Sequence, residues 1–349
     1  MSFWKKTRPI VGLAPMDGIT DAPMRQITAR YGQPEVIFTE FVNVEYAAAQ
    51  PNKLFNRFWY SSDQRPIVVQ LSGVNPDLFY QFALIAAELG FDGIDINMGC
   101  PAKSVTARGG GAKLIGNKKL VEKLILSVNK GLDDWQKGKG LDSLDKNLFL
   151  ALEKTRQKNR QWGGVNKAKK SPPALSIKTR LGIDRPLVED WLNFLLSLPI
   201  ETLIVHGRLV SQGHSGLVDW VSLSRAADFA GRENKAFIGN GGIGSFREGE
   251  EVCQKYNLDG VLIGRGALGN PWVFTNQKVA KEEKLLVMME HARCFVDLFG
   301  EDNFVVLRKH LAWYAAGFPG AKKLRVELVR TSCLSEVEKI VNHFYLIFN

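Results

Sequence analysis

The chain alternates between short apolar runs and longer amphipathic stretches, eight times over. Runs at 10–14, 36–40, 66–71, 93–98, 174–180, 202–206, 236–240 and 260–264 read as buried strands bracketed by turn residues. Helical patterns at about 20–30, 44–54, 76–89, 117–130, 187–197, 220–229 and 246–256 occupy the spaces between them. A strand followed by a helix, repeated, makes a parallel sheet, because a crossover is needed to bring the next strand back in the same direction. Eight such units predict an α/β fold closed into a (β/α)8 TIM barrel. The alternation then stops. Four amphipathic helices at 282–299, 304–316, 322–330 and 335–347 predict a small all-α domain. The expected organisation is a barrel over 1–275 and a helical domain over 282–349, with Pro271-Trp272-Val273-Phe274 near the join.

One segment interrupts the rhythm. Residues 134–172 hold ten Lys/Arg against four Asp/Glu, and so supply +6 of the chain's net charge of +10. Glycines at 138, 140, 163 and 164 and prolines at 172 and 173 bracket a basic helix over 146–160. This reads as an insertion, either a solvated surface helix or an electrostatic patch for nucleic acid. No apolar run approaches the roughly 18 residues of a membrane span, and the first residues lack the apolar centre of a signal peptide. The four cysteines (Cys100, Cys253, Cys294 and Cys333) form no CxxC pair, which argues against a zinc site or a disulfide framework. A reducing, cytoplasmic setting is expected, with no membrane, no metal and a monomeric chain.

The strand ends are where a barrel keeps its chemistry. Asp95 and Asn97 sit two apart on the fourth strand and so share a face, and Gly99-Cys100-Pro101 ends that strand in a loop that presents a thiol. A buried cysteine is ordinarily a small hydrophobe. A polar strand face leading to it is unusual for a core. Gly109-Gly110-Gly111 offers backbone without side chains, where something large can approach. Lys178 and Arg180 share a face of the fifth strand, and two inward cations call for an anionic partner. Asn240-Gly241-Gly242 and Gly264-Arg265-Gly266 follow strands seven and eight, where such barrels often hold a phosphate. Gln70 and His206 close two further strands, and Pro15 and Met16 a third. A phosphate site with a cation and an amide at the mouth fits a phosphate-bearing heterocyclic cofactor.

These residues carry a resemblance. Ala14 to Asp21, Ile94 to Lys103, Lys178-Thr179-Arg180, Val205 to Arg208, Asn240 to Gly242 and Ile263 to Gly266 resemble the tRNA-dihydrouridine synthases. The cysteine motif is the most specific of them. Arg308 to Tyr314, with the segment at 271–274, resembles the bacterial B type, whereas the run at 109–111 is closer to the A and C types. The insertion is foreign to the pattern.

The resemblance implies an FMN enzyme that reduces the C5=C6 bond of a D-loop uridine in tRNA, with NADPH (or NADH) as electron donor. It implies that Pro15, Met16, Asp17, Gln70, Lys178 and His206 line the flavin, and that Asn240, Gly241, Gly242, Gly264 and Arg265 hold its phosphate. Cys100 is implied as the acid that protonates C5. Asn97, Lys103 and Arg180 are implied to meet the uridine, and the helical domain to grip tRNA. Two alternatives stay open: an FMN oxidoreductase acting on a free pyrimidine, and a non-catalytic tRNA-binding barrel. The basic charge and the helical domain weigh against the first, and the intact polar strand ends against the second.

Overall fold

A computed structural model describes residues 3–5, 9–164, 171–213 and 215–348. Three of the insertion's lysines, at 167, 169 and 170, lie outside the described residues. The eight strands are β1 (Ile10–Leu13), β2 (Ile37–Asn43), β3 (Ile67–Ser72), β4 (Gly93–Met98), β5 (Ala174–Arg180), β6 (Thr202–His206), β7 (Ala236–Asn240) and β8 (Gly260–Ile263). They form one closed parallel barrel in sequence order. The ring closes where Ile10 to Leu13 pair with Gly260 to Ile263. A Cβ on Gly260 would lie 2.3 Å from the Ile10 carbonyl oxygen, so this seam needs a residue without one.

The strand period sorts the interior into layers. Ile10, Phe38, Val68, Ala174, Ile204, Ala236, Ile238 and Leu262 pack together inside the barrel, with Trp4 in the same cluster. The same faces become polar towards the carboxyl ends. Gln70, Asp95 and Ser176 come first, then Asn97, Lys178, Arg180, His206 and Asn240. Gln70 pairs with Asp95, and Asp95 with Ser176, across adjacent strands. The barrel interior thus runs from an oily floor to a polar mouth, and only the mouth can do chemistry.

The wall helices are α1 (Ala22–Gly32), α2 (Val44–Ala49), α3 (Pro51–Leu54), α4 (Pro76–Glu88), α5 (Lys103–Thr106), α6 (Lys118–Gln136), α7 (Lys146–Gln161), α8 (Asn193–Ser197), α9 (Trp220–Arg232) and α10 (Phe246–Tyr256). Several begin on a side-chain cap that answers an orphan N–H: Asp21 accepts from Met24, Asn75 from Asp77 and Ser245 from Glu248. The expected helix at 187–197 begins instead with a π turn, Val188–Leu192.

The insertion is a packed part of the wall. The helix expected over 44–54 is broken into α2 and α3, and α7 lies against the stretch that follows. Its residues Leu148, Ala151, Leu152, Thr155 and Asn159 are buried at helical spacing. Asn159 accepts from Tyr60 N at 3.1 Å and donates to Phe58 O at 3.0 Å. Arg156 pairs with Glu88 of α4.

Beyond the barrel come α11 (Lys281–Phe299), α12 (Arg308–Tyr314), α13 (Ala321–Leu328) and α14 (Leu334–Phe348). The first four residues of the helix expected at 304–316 belong instead to a 3-10 segment, Glu301–Leu307. These helices pack around Leu285, Met288, Phe295, Leu311 and Leu324, and take Ile27 and Trp272 from the barrel into the same cluster. The contact is close: a Cβ on Gly269, at φ +63°, would lie 2.3 Å from the Trp313 backbone carbon. Lys309 reaches back to the Gly18 carbonyl, just beyond the first strand end, and Tyr31 donates to Glu290 at 2.5 Å. No helix among the described residues is long and apolar enough to cross a membrane.

Candidate active site

A cavity of about 940 Å³ opens at the carboxyl ends of the strands. Pro15, Met16, Asp17, Gln70, Asn97, Cys100, Lys178, Arg180, His206, Asn240, Gly241, Gly242, Gly264 and Arg265 all line it. Lys103 does not; it is exposed at the start of α5, just past the cysteine loop. Phe41, Ile243 and Leu268 line the cavity without having been singled out, and so does Arg208, which entered only as the end of a motif and without a role. Arg208 carried a signal, since it stands two residues beyond His206 on the same loop. Phe41 carried none. It reaches the mouth because β2 runs on to Asn43, with a register irregularity between Phe38 and Phe41.

Cys100 is held by its own backbone. Its N–H donates to Asn97 Oδ1 at 3.0 Å, and that of Gly99 to the same oxygen at 3.2 Å. The Cys100 carbonyl accepts from Ala112 N at 2.9 Å. This identifies what the glycine run accommodates. A Cβ on Gly111, at φ +58°, would lie 2.5 Å from that carbonyl oxygen, so the close neighbour is the cysteine loop rather than a ligand. Burial pushes the Cys100 thiol above its ordinary range, only partly opposed by a hydrogen bond from the Ala102 backbone and by Arg180 and Lys178. That shift favours the protonated thiol over the thiolate.

The amides have protein partners already. Gln70 donates to Asp95 Oδ2 at 2.7 Å and accepts from Asn97 at 2.9 Å. Asn240 donates to Leu262 O at 2.8 Å and accepts from Lys178 Nζ at 2.9 Å. Its side chain therefore steadies Lys178, and what remains for an anion beside it is the backbone of Gly241 and Gly242. Burial lowers the Lys178 pKa, and Arg180 lowers it further against the pull of Asp95. Arg180 donates through Nε to Gly99 O at 3.0 Å and through Nη1 to Leu209 O and Gly213 O at 3.1 and 3.0 Å. It ties the cysteine loop to the loop after β6.

The other wall gathers two arginines beside a glycine turn. Gly241 (φ +125°) and Gly242 (φ +76°) turn beneath Arg208, and a Cβ on Gly241 would lie 3.4 Å from Arg208 Nη1 and 3.2 Å from His206 Cε1. Burial lowers the pKa of Arg208, and the nearby charge of Arg265 lowers it again. Two guanidiniums that repel each other beside bare backbone suit a phosphate. Among the described residues there is no cluster of three or more His, Cys, Asp or Glu that could hold a metal.

The chain is similar along nearly its whole length to curated bacterial proteins. It is 29% identical over 356 residues to the probable tRNA-dihydrouridine synthase 2 of Bacillus subtilis, covering 98% of this chain and 96% of that one. It is 28% identical over 358 residues to the probable tRNA-dihydrouridine synthase of Staphylococcus aureus, covering 98% and 95%. Among solved structures, an old yellow enzyme homologue from Zymomonas mobilis aligns over 78% of this chain and 90% of its own, at 13% identity and a TM-score of 0.46. That correspondence is too loose to bear on function. The dihydrouridine synthase family model matches residues 12–135 and 164–346, both sides of the inserted segment. With a barrel whose mouth joins a held cysteine to an anion cradle, and a family match across both of its parts, this chain belongs to the dihydrouridine synthase family.

Proposed function

We propose that this protein is a flavin-dependent tRNA-dihydrouridine synthase that reduces the C5=C6 bond of a D-loop uridine, with FMN as cofactor and NADPH (or NADH) as the source of electrons. The observation that carries the reading is the division of the cavity: a cysteine on a loop keyed by Asn97 at one side, and two arginines beside a glycine turn at the other.

The residues present suit FMN. Gly241, Gly242, Gly264, Arg208 and Arg265 would hold the phosphate, with Pro15, Met16, Asp17, Gln70 and His206 around the ring system. The flavin, when bound, supplies hydride. Lys178, whose hydrogen bond goes to the neutral amide of Asn240, would face the negative charge that a reduced ring carries. At the substrate, hydride arriving at C6 leaves an electron pair shared between C5 and the adjacent carbonyl. Cys100 Sγ–H gives its proton to C5, which completes a single bond with two new hydrogens and leaves a thiolate to be reprotonated from solvent. Asn97, and the part of Arg180 not already committed to Gly99, Leu209 and Gly213, would hold the uracil carbonyls against that developing charge. The uridine must leave its stack to reach the cavity, which a tRNA loop allows at low cost. The helices α11 to α14, whose Lys309 touches the mouth loop at Gly18, would grip the tRNA outside the cavity.

The test is a nucleoside mass spectrum of dihydrouridine-free tRNA incubated with this protein and NADPH, with Cys100→Ala alongside. A gain of two mass units on uridine, reduced about 100-fold or more in the variant, supports both the reaction and the acid; fragment mapping gives the position. A yellow protein that leaves tRNA unchanged but reduces free pyrimidines would overturn the proposal, as would a colourless protein that only binds tRNA.

A further inference from the structure

The polar groups inside the barrel form a directed chain, and its buried end has no part in the steps above. Asp95 lies in β4 with no exposed surface. Its Oδ2 accepts from Gln70 Nε2 at 2.7 Å and its Oδ1 from the Ser176 hydroxyl at 2.8 Å. Gln70 Oε1 accepts from Asn97 Nδ2 at 2.9 Å. Asn97 Oδ1 then accepts the backbone N–H groups of Gly99 and Cys100. Every link runs in one sense, with donors aimed down at the carboxylate and acceptors aimed up at the loop.

That sense is imposed from below. A primary amide can be turned over, exchanging oxygen for nitrogen with almost no change of shape. Burial raises the pKa of Asp95 from 3.8 to about 7, opposed by the hydrogen bonds from Gln70 and Ser176 and by the Lys178 charge; in its ionised form the carboxylate only accepts. Facing it, Gln70 must present nitrogen. Its oxygen then faces Asn97, which must answer with nitrogen. The Asn97 oxygen is left pointing at the loop, where two N–H groups need an acceptor. Turning either amide over sets oxygen against oxygen at one end, or N–H against N–H at the other, inside a buried network where a mismatched polar group is costly. Lys178, the neighbouring cation, is directed to Asn240.

We infer that Asp95 is a positioning residue: through Gln70 and Asn97 it orients the hydrogen-bond chain that holds the loop presenting Cys100. The role of that thiol rests on the function proposed above; the orientation of the loop does not.

The polarity supplies the test. Asp95→Asn can still accept from Gln70 while giving its own N–H to Ser176. Asn97→Asp sets an acceptor at both ends of Gln70, which cannot satisfy both. The double variant Asp95→Asn/Asn97→Asp runs the whole chain backwards: the amide at 95 donates to Gln70, Gln70 donates to the carboxylate at 97, and that carboxylate still accepts from Gly99 and Cys100. The readout is backbone amide exchange at Gly99 and Cys100 in the flavin-loaded protein, with the rate of flavin reoxidation by tRNA beside it. Exchange is expected within about threefold of wild type for Asp95→Asn, at least about tenfold faster for Asn97→Asp, and within about threefold again for the double variant. A double variant that exchanges as fast as Asn97→Asp overturns the inference, as does an Asp95→Asn protein that exchanges as fast as Asn97→Asp. If Asn97→Asp does not fold, folding of the double variant supports the inference and its failure to fold overturns it. Amide exchange needs no substrate, so a wild-type protein inactive on tRNA would sink the proposed function while leaving this result to stand or fall on its own.

Discussion

Gly111→Ala measures how firmly the thiol is held from behind. The added Cβ would sit 2.5 Å from the Cys100 carbonyl oxygen, 2.9 Å from Val105 Cγ1 and 3.3 Å from Cys100 Cβ. A comfortable carbon–oxygen contact is about 3.3 Å, so roughly 0.8 Å has to be found. Side-chain rotation cannot supply it, because the obstructing atom is backbone and is bonded to Ala112 N at 2.9 Å. The left-handed conformation adds a cost of about 1 kcal/mol for alanine. Together these give a loss of about 2–4 kcal/mol in stability. The sharper effect is on rate. Moving a reacting group by about 1 Å costs about 100-fold, so the step that passes hydrogen to tRNA should slow by about 30–100-fold. Flavin content and reduction by the nicotinamide donor should hold, because the anion cradle lies on the other wall. Gly110→Ala is the control. Its φ of −86° suits any residue, and its Cβ would come no nearer than 3.5 Å to a neighbour. It should be neutral, or stabilising by about 0.4–1 kcal/mol. The assay is anaerobic stopped-flow: flavin reduction by the nicotinamide, then reoxidation on mixing with unmodified tRNA. If Gly111→Ala slows reoxidation no more than Gly110→Ala does, the glycine run does not position the cysteine and the argument fails.

Three further outcomes follow from the charges. Burial lowers the Lys178 pKa, and an anion bound beside it would raise it again, so FMN binding takes up a proton; affinity should weaken as pH rises from below the ordinary lysine range, and titrations of Lys178→Met should be flat over that span. Burial and Glu40 raise Asp21 from 3.8 to about 7, so its contribution to stability is intact below pH 4 and is lost as pH climbs through 7. Asp21→Asn keeps the cap on Met24 and should gain on wild type across that window, towards a ceiling of about 4 kcal/mol by thermal unfolding; a constant offset at every pH would contradict the assignment. Lys146, Lys154 and Arg160 are exposed on α7, and changing all three to Gln should lower the salt slope of tRNA binding by about 2–3 if the helix meets phosphates, whereas an unchanged slope would leave α7 as wall alone. Deleting the insertion is a poorer experiment, because it also removes the buried side chains at 148, 151, 152 and 155 and exposes the wall they cover.

What was legible follows from what repeats. The strands at 174–180, 202–206 and 236–240 were placed to the residue, because a buried parallel strand is a continuous apolar run cut off sharply by turn residues. Helix 146–160 was nearly as clear, ending at Gln161, since glycine and proline bracket it. The breaks were not legible. A π turn at Val188–Leu192 and a 3-10 segment at Glu301–Leu307 differ from an α-helix by a fraction of a residue per turn, which a single turn of sequence does not resolve. The extension of β2 to Asn43 depends on an irregular pairing with β3, and so Phe41 entered the cavity unannounced.

The same distinction runs through the site. Strand period says which way a side chain points, and it pointed Gln70, Asn97, Lys178, Arg180, His206 and Asn240 into one mouth. It says nothing of what each one meets there. Asn240 meets Lys178, 62 residues away, and Arg180 meets carbonyls 29 and 33 residues further along the chain. The first pairing spans two strands that are not neighbours in the barrel, and the Arg180 partners depend on how the loop after β6 lies over it; neither leaves a periodic signal. Asn97 shows the consequence most plainly. The resemblance implies a contact with the substrate; its hydrogen bonds tie it to the cysteine loop. Both hold if one amide holds the acid from below and meets the base from above, and a variant at Asn97 would then fail in two ways at once. That is why the double variant with Asp95, which restores the first function and leaves the second altered, separates the two.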